Sequence, residues 1–144
     1  MAKLLIIYYS QAGNTEAMAN AVCEGASSAG AAATMKKAAD TTGDDLLGCD
    51  AVAFGTPNYF SYMAGMIKDL LDRVWYTIVG KVENKSYALF TSAGGDNKSA
   101  LERLDGLCKY LKLEKAFDDV VAKGKPSSEV LEECKKMGSK LAKL

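Results

Sequence analysis

The sequence predicts an α/β fold: a three-layer α-β-α sandwich around a five-stranded parallel sheet. Two observations carry this expectation. Apolar runs of strand length alternate five times with helical stripes, the pattern of successive β-α units. Several of those runs are continuously apolar, as in strands covered on both faces by helices. The chain has 144 residues, 49% of them apolar, enough for one domain, expected to span residues 1–144.

Leu4 to Tyr8 is the first buried strand. Met18, Ala21, Val22, Gly25 and Ala26 then recur at helical spacing. Thr34 to Lys37 is a strand of mixed polarity, which suits a sheet edge. Thr41 to Leu47 is polar and has room for a short helix. Ala51 to Phe54 forms a third strand, stopped by Gly55-Thr56-Pro57. Ile67, Leu70, Leu71, Val74 and Trp75 stripe the next helix, with Trp75 either in the core or near a ligand's outer edge. Tyr87 to Thr91 is the fourth strand. Leu101, Leu104, Leu107, Cys108 and Leu111 stripe a helix, and Ala116 to Ala122 makes a single fifth strand. Pro126 and Ser127 open the last helix, whose inner stripe is Val130, Leu131, Cys134, Gly138 and Leu141.

Charge and composition exclude several function classes. Lys plus Arg and Asp plus Glu both total 18, and a neutral chain gives no support to nucleic-acid binding. No apolar run approaches the ~20 residues of a membrane span. The opening apolar run is too short for a secretory leader, so a cytoplasmic location is expected. There is no histidine, and the four cysteines form no C-x-x-C pair. Zinc sites of the usual kinds and histidine-based triads therefore lack their residues. Each cysteine reads as a small buried hydrophobe.

In open parallel sheets, ligands bind beyond the carboxyl ends of the strands, where the strand order reverses. Three loops lie there. The first is Ser10-Gln11-Ala12-Gly13-Asn14-Thr15, which runs straight into a helix. A helix N-terminus offers unpaired N–H groups and partial positive charge, so it can bind a phosphate without a basic residue. Gly13 permits the turn, and Ser10, Asn14 and Thr15 add donors. The patterns G-x-x-x-x-G-K-[ST] and G-x-G-x-x-G are both absent. The competing reading is a polar capping turn, which favours the same residue types.

The second loop, Thr56-Pro57-Asn58-Tyr59-Phe60-Ser61-Tyr62, gathers three aromatic residues. Such a cluster suits a flat apolar ring with a polar edge, with Thr56 and Asn58 donating to that edge. Equally, Tyr59 and Phe60 could cap the core. The third loop, Ser92-Ala93-Gly94-Gly95-Asp96-Asn97, allows close backbone approach, although a plain strand-to-helix turn has the same composition.

Tyr8-Tyr9-Ser10-Gln11-Ala12-Gly13-Asn14-Thr15-Glu16 resembles the flavodoxin phosphate loop, whose usual form is T/S-x-T-G-N-T. Ala12 stands where the family usually has Thr. The resemblance implies flavin mononucleotide (FMN), the strand order 2-1-3-4-5, and the short-chain form. It implies cofactor contacts from Ser10 to Thr15, from Thr56 to Phe60 and from Ser92 to Asp96. The stretch from Gly55 to Phe60, followed by Met63 to Arg73, is similar to flavodoxin-like NAD(P)H:quinone oxidoreductases and FMN reductases.

The chain departs from the acidic electron carriers of the family in being neutral. Its second loop also lacks the Gly whose peptide accepts a hydrogen bond from the reduced flavin. Three functions follow as expectations. The favoured one is an electron carrier serving redox partner proteins. The second is a reductase using NAD(P)H and a quinone or flavin. The third is a flavin-less binding module on the same fold. None assigns a general acid or base.

Overall fold

The computed structural model describes residues 1–95 and 98–144. The strand β1 (Lys3–Tyr8) leads into α1 (Asn14–Ser28), β2 (Ala32–Lys37) and the short α2 (Gly43–Gly48). Thr42 opens α2 with a reciprocal cap, exchanging hydrogen bonds with Asp45. Next come β3 (Ala51–Tyr59), β4 (Tyr62–Met63) and α3 (Gly65–Ile78). The chain ends with β5 (Ser86–Ala93), α4 (Ser99–Tyr110), β6 (Glu114–Lys115), β7 (Val120–Lys123) and α5 (Ser128–Ala142).

The parallel sheet runs β2-β1-β3-β5, with β6 and β7 successively alongside β5. Counted by position, this is the expected order 2-1-3-4-5. The central strands separate two cores because successive side chains point to opposite faces. Leu5, Ile7, Val52, Phe54 and Leu89 meet α3 and α4 through Ile67, Leu70, Val74 and Leu104. Leu4, Ile6, Ala53 and Phe90 meet α1 and α5 through Met18, Val22, Cys134 and Leu141. Each fully buried aliphatic chain contributes about 1.5–3 kcal/mol. The two outer helices approach to backbone contact at glycines. A Cβ on Gly138 would overlap the Val22 carbonyl, and one on Gly25 would overlap the Lys135 carbonyl.

Two expectations need correction. First, β3 does not stop at Gly55-Thr56-Pro57. Thr56 and Pro57 pair with Thr91 and Ser92 of β5, and the strand runs to Tyr59. A proline is tolerated here because Pro57 lies beyond the end of β1, whose last partner on β3 is Gly55.

Second, the fifth strand is split. Lys115 registers with Tyr87 and Val120 with Phe90, so residues 116–119 face only Ala88 and Leu89 on β5. The segment includes Asp118 and Asp119, whose charge opposes burial in a sheet. Asp119 instead pairs with Lys115 at 2.8 Å.

Of the two places expected for Trp75, it takes the first: it packs against the core formed by α3 and α4, away from the ligand loops. It is half-buried and packs on Tyr110, ring centroids 5.5 Å apart. Tyr110 ends α4, at the sheet end opposite those loops. Of the four cysteines, Cys49, Cys108 and Cys134 are buried, Cys23 is half-buried, and all are free thiols.

Candidate functional site

At the carboxyl ends of β1, β3, β5 and β7 lies a cleft of about 270 Å³. The first loop lines it with Ser10, Gln11, Ala12, Asn14 and Thr15. From β3 come Pro57, Asn58 and Tyr59; from the end of β5 come Ser92, Ala93 and Gly94. Three segments remote in sequence thus meet in one cavity. No Lys or Arg lines it among the described residues.

The first loop is not a capping turn. The N-cap of α1 is Gly13, in the left-handed region at φ +97°, and no side-chain cap bond forms there. Helices α2 and α5, by contrast, are capped by Thr42 and Ser127. The polar side chains of the first loop serve otherwise. Ser10 Oγ accepts the Gly13 N–H at 3.1 Å, closing the turn. Thr15 Oγ1 lies 2.8 Å from Ser92 Oγ. The opening N–H groups of α1 therefore have neither an intrahelical acceptor nor a side-chain cap, and the positive end of the helix dipole adds to their pull on an anion.

Glu16, in the first turn of α1, would repel that anion. It faces elsewhere: the Tyr8 hydroxyl donates to Glu16 Oε2 at 3.2 Å, and Glu16 lines a neighbouring cleft with Lys37. Burial and then the Glu16 carboxylate raise the Tyr8 hydroxyl above its ordinary pKa.

The second segment is a hairpin on the end of β3 and not a free loop. Tyr59 pairs with Tyr62 and Asn58 with Met63. The two tip residues both have positive φ, Phe60 at 56° and Ser61 at 60°, as in the tight two-residue turns that match strand twist. Tyr59 turns back over the cleft. Its hydroxyl donates to Gln11 Oε1 at 2.9 Å, and its ring meets Tyr9 edge-on with centroids 6.3 Å apart. Burial first, then Tyr9, raise the Tyr59 pKa, so this hydroxyl stays a donor.

Two residues expected to contact a ring, Thr56 and Phe60, lie outside the lining of this cleft. Phe60 is 103% exposed at the tip and lies outside the cleft. Thr56 is fully buried: its Oγ1 accepts the Ala64 N–H at 2.9 Å and donates to the Pro57 carbonyl at 2.7 Å. Its hydroxyl braces the hairpin and is not available to a ligand edge.

The third segment also begins as strand, since Ser92 and Ala93 still belong to β5. Gly94 lines the cleft, Gly95 is exposed outside its lining, and Asp96 and Asn97 lie outside the described residues. One lining residue was missed by the sequence reading. Gly124 follows β7 at φ +72°, and its N–H donates to the Ala93 carbonyl at 2.9 Å. A glycine directly after the last strand was the available signal.

Comparison with known proteins gives concordant findings. Residues 6–138 match the sequence model of the family described as Flavodoxin. A protein named flavodoxin from Aquifex aeolicus is 30% identical over 99% of this chain and 86% of its own length. A solved flavodoxin from the domain Archaea superposes with a TM-score of 0.86 at 24% identity, covering 98% of this chain and 96% of that one. A WrbA-like flavodoxin from Agrobacterium tumefaciens gives 0.81 at 25% identity, over 99% and 96% of the two chains.

Proposed function

This chain belongs to the flavodoxin family of electron-transfer flavoproteins, and on that premise we propose that its cleft binds FMN and that the protein carries electrons between redox partner proteins. The observation that supports this most is the uncapped, glycine-initiated N-terminus of α1 opening into a cleft that Tyr59 overhangs.

The residues present fit such a cofactor. The phosphate would lie against the first turn of α1, taking N–H groups there and side-chain donors from Ser10 and Asn14. Charge-assisted hydrogen bonds contribute roughly 1.5–3 kcal/mol each. Four such bonds supply on the order of 6–12 kcal/mol before association costs. A cleft without Lys or Arg can therefore hold a phosphate monoester, as other helix N-termini do. The Ala12 methyl at the usual Thr position contributes no hydroxyl.

The ring would lie between Tyr59 and the backbone of the Ser92–Gly94 turn, where it needs flat apolar contact and close approach. FMN, when bound, supplies the electron-carrying chemistry. Tyr59, which lines the cleft, would keep water from one side of the ring. Among the described residues the lining offers no cation to compensate negative charge there, which would favour a low reduction potential. Asn58 lines the cleft and would address the ring's polar edge.

A cytoplasmic location accords with four free thiols, since reducing compartments keep cysteines unpaired. Among the described residues no helix is long and apolar enough to cross a membrane.

The resemblance of the stretch from Gly55 to Phe60 and from Met63 to Arg73 to NAD(P)H:quinone oxidoreductases, together with the neutral charge, supports a second reading: a two-electron reductase that takes hydride from NAD(P)H and passes it to a quinone or flavin. One experiment separates the readings. The FMN-loaded protein is reduced anaerobically, first with NADH or NADPH and then with dithionite, while visible spectra are recorded. A carrier ignores the nicotinamides and reduces in one-electron steps with dithionite. Rapid bleaching by NADH or NADPH identifies the reductase. A colourless chain that takes up no FMN leaves only a binding module.

A further inference from the structure

We propose that Gln11 is a positioning residue that acts through Tyr59 and is not a ligand of the cofactor phosphate. The inference rests on flavin binding in the cleft and concerns how the aromatic wall is held.

Gln11 is the second residue of the loop Ser10–Thr15, where Ser10, Asn14 and Thr15 invite a reading as anion donors. The acceptor end of its side chain is engaged elsewhere, and that contact orients the carboxamide. The Tyr59 hydroxyl donates to Gln11 Oε1 at 2.9 Å, across 48 residues of sequence. A carboxamide has one acceptor end and one donor end, and the acceptor end faces the tyrosine. Tyr9, at the start of the same loop, holds the Tyr59 ring edge-on, interplanar angle 82°. The ring is thus fixed by two residues of the first loop, one at its hydroxyl and one at its edge.

That fixing is needed because of where Tyr59 stands. It is the last residue of β3, directly before two residues of positive φ. Beyond the backbone pair with Tyr62, the hairpin supplies no acceptor for the hydroxyl among the hydrogen bonds described. Without Gln11 the hydroxyl would turn toward water and the ring would swing off the cleft. Holding an aromatic wall in one rotamer before the ligand arrives lowers the ordering cost of binding.

The test uses the full-length chain with FMN and with riboflavin, which has the ring but no phosphate. Affinities are measured by flavin fluorescence quenching for the wild type and for Gln11→Ala, Gln11→Glu, Tyr59→Phe and Gln11→Ala/Tyr59→Phe. Gln11→Ala is expected to weaken FMN and riboflavin by the same factor, about fivefold for one lost hydrogen bond. Tyr59→Phe should match it, and the double variant should be no worse than either single one. Gln11→Glu keeps the acceptor, so riboflavin affinity should return to the wild-type value while FMN stays weakened by charge repulsion.

A Gln11→Ala variant that loses FMN affinity and keeps riboflavin affinity would make Gln11 a phosphate ligand and overturn the inference. Additive losses in the double variant would do the same. A second measurement needs no flavin: the NMR cross-peaks between the Tyr9 and Tyr59 rings in the cofactor-free chain. They should weaken in Gln11→Ala and persist in Gln11→Glu; unchanged peaks in Gln11→Ala overturn the inference. A wild-type chain that binds neither flavin refutes the flavin reading, and the ring contacts still decide the role of Gln11.

Discussion

Thr15 Oγ1 and Ser92 Oγ lie 2.8 Å apart across 77 residues of sequence. This contact ties the first turn of α1 to the end of β5, and both residues are buried, at 1% and 7% exposure. Little of either residue is open to water, so the loss of one hydroxyl is poorly compensated by solvent at the other. Ser92→Ala leaves the Thr15 hydroxyl without this partner and should destabilise the fold by about 1–3 kcal/mol. Thr15→Val with Ser92→Ala removes both hydroxyls and should cost less than the two single losses summed. Urea denaturation of the four proteins checks this, and strictly additive losses would show that the contact does not couple the loops.

Gly13 carries the turn into α1 at φ +97°. A Cβ there meets nothing within 4 Å, so the cost of a side chain is conformational and not steric. For Gly13→Val it is about 1–2 kcal/mol for the left-handed backbone, and more if the β-branched chain refuses it. The loop is then expected to re-form with φ negative, which turns the opening N–H groups of α1 away from the cleft. Circular dichroism should stay native while FMN titration shows uptake lost. Undiminished affinity would place the ligand elsewhere.

Ser61 and Phe60 hold left-handed backbone at the hairpin tip without a glycine. Ser61→Gly should raise stability by about 1 kcal/mol by relieving that conformation. Thermal unfolding monitored by circular dichroism measures it, and a lowered Tm would mean that Ser61 is not strained.

Asp105 gathers Lys109 at 2.9 Å, Lys115 at 3.2 Å and the Tyr87 hydroxyl. Burial pushes its carboxyl up, but the hydrogen bonds from Tyr87, Lys109 and Lys115 outweigh this and hold its pKa below the ordinary value. A depressed carboxyl stabilises the fold fully above its unfolded pKa of about 3.9, and the gain is lost as pH falls through the lower folded value. Asp105→Asn should therefore destabilise at pH 7 by about 2 kcal/mol, and the gap to wild type should close in acid. Denaturant midpoints at neutral pH and near pH 3 test it; a gap independent of pH would assign the loss to packing.

The order of the β-α units, the two buried faces of β1 and the glycine turn into α1 were all legible in the sequence. Each is a local signal: a run of Leu and Ile, a helical period, or a Gly-Asn-Thr before a helix. The absence of histidine is read directly from composition. Only the tertiary structure decided where strands end and which way side chains face beyond those ends. Pro57 reads as a strand breaker, yet β3 continues through it because β1 has already stopped and no bond is lost. Thr56 and Phe60 sit in the aromatic segment that sequence marked as the ring contact. The hairpin register turns the first hydroxyl inward to Ala64 and Pro57 and sends the second ring into solvent. Gly124 joined the cleft because β7 ends beside Ala93, and Gln11 found Tyr59 because β3 overshoots β1. Periodicity records which residues are apolar; pairing between strands remote in sequence sets how far each extends, and that extension aims the residues of this site.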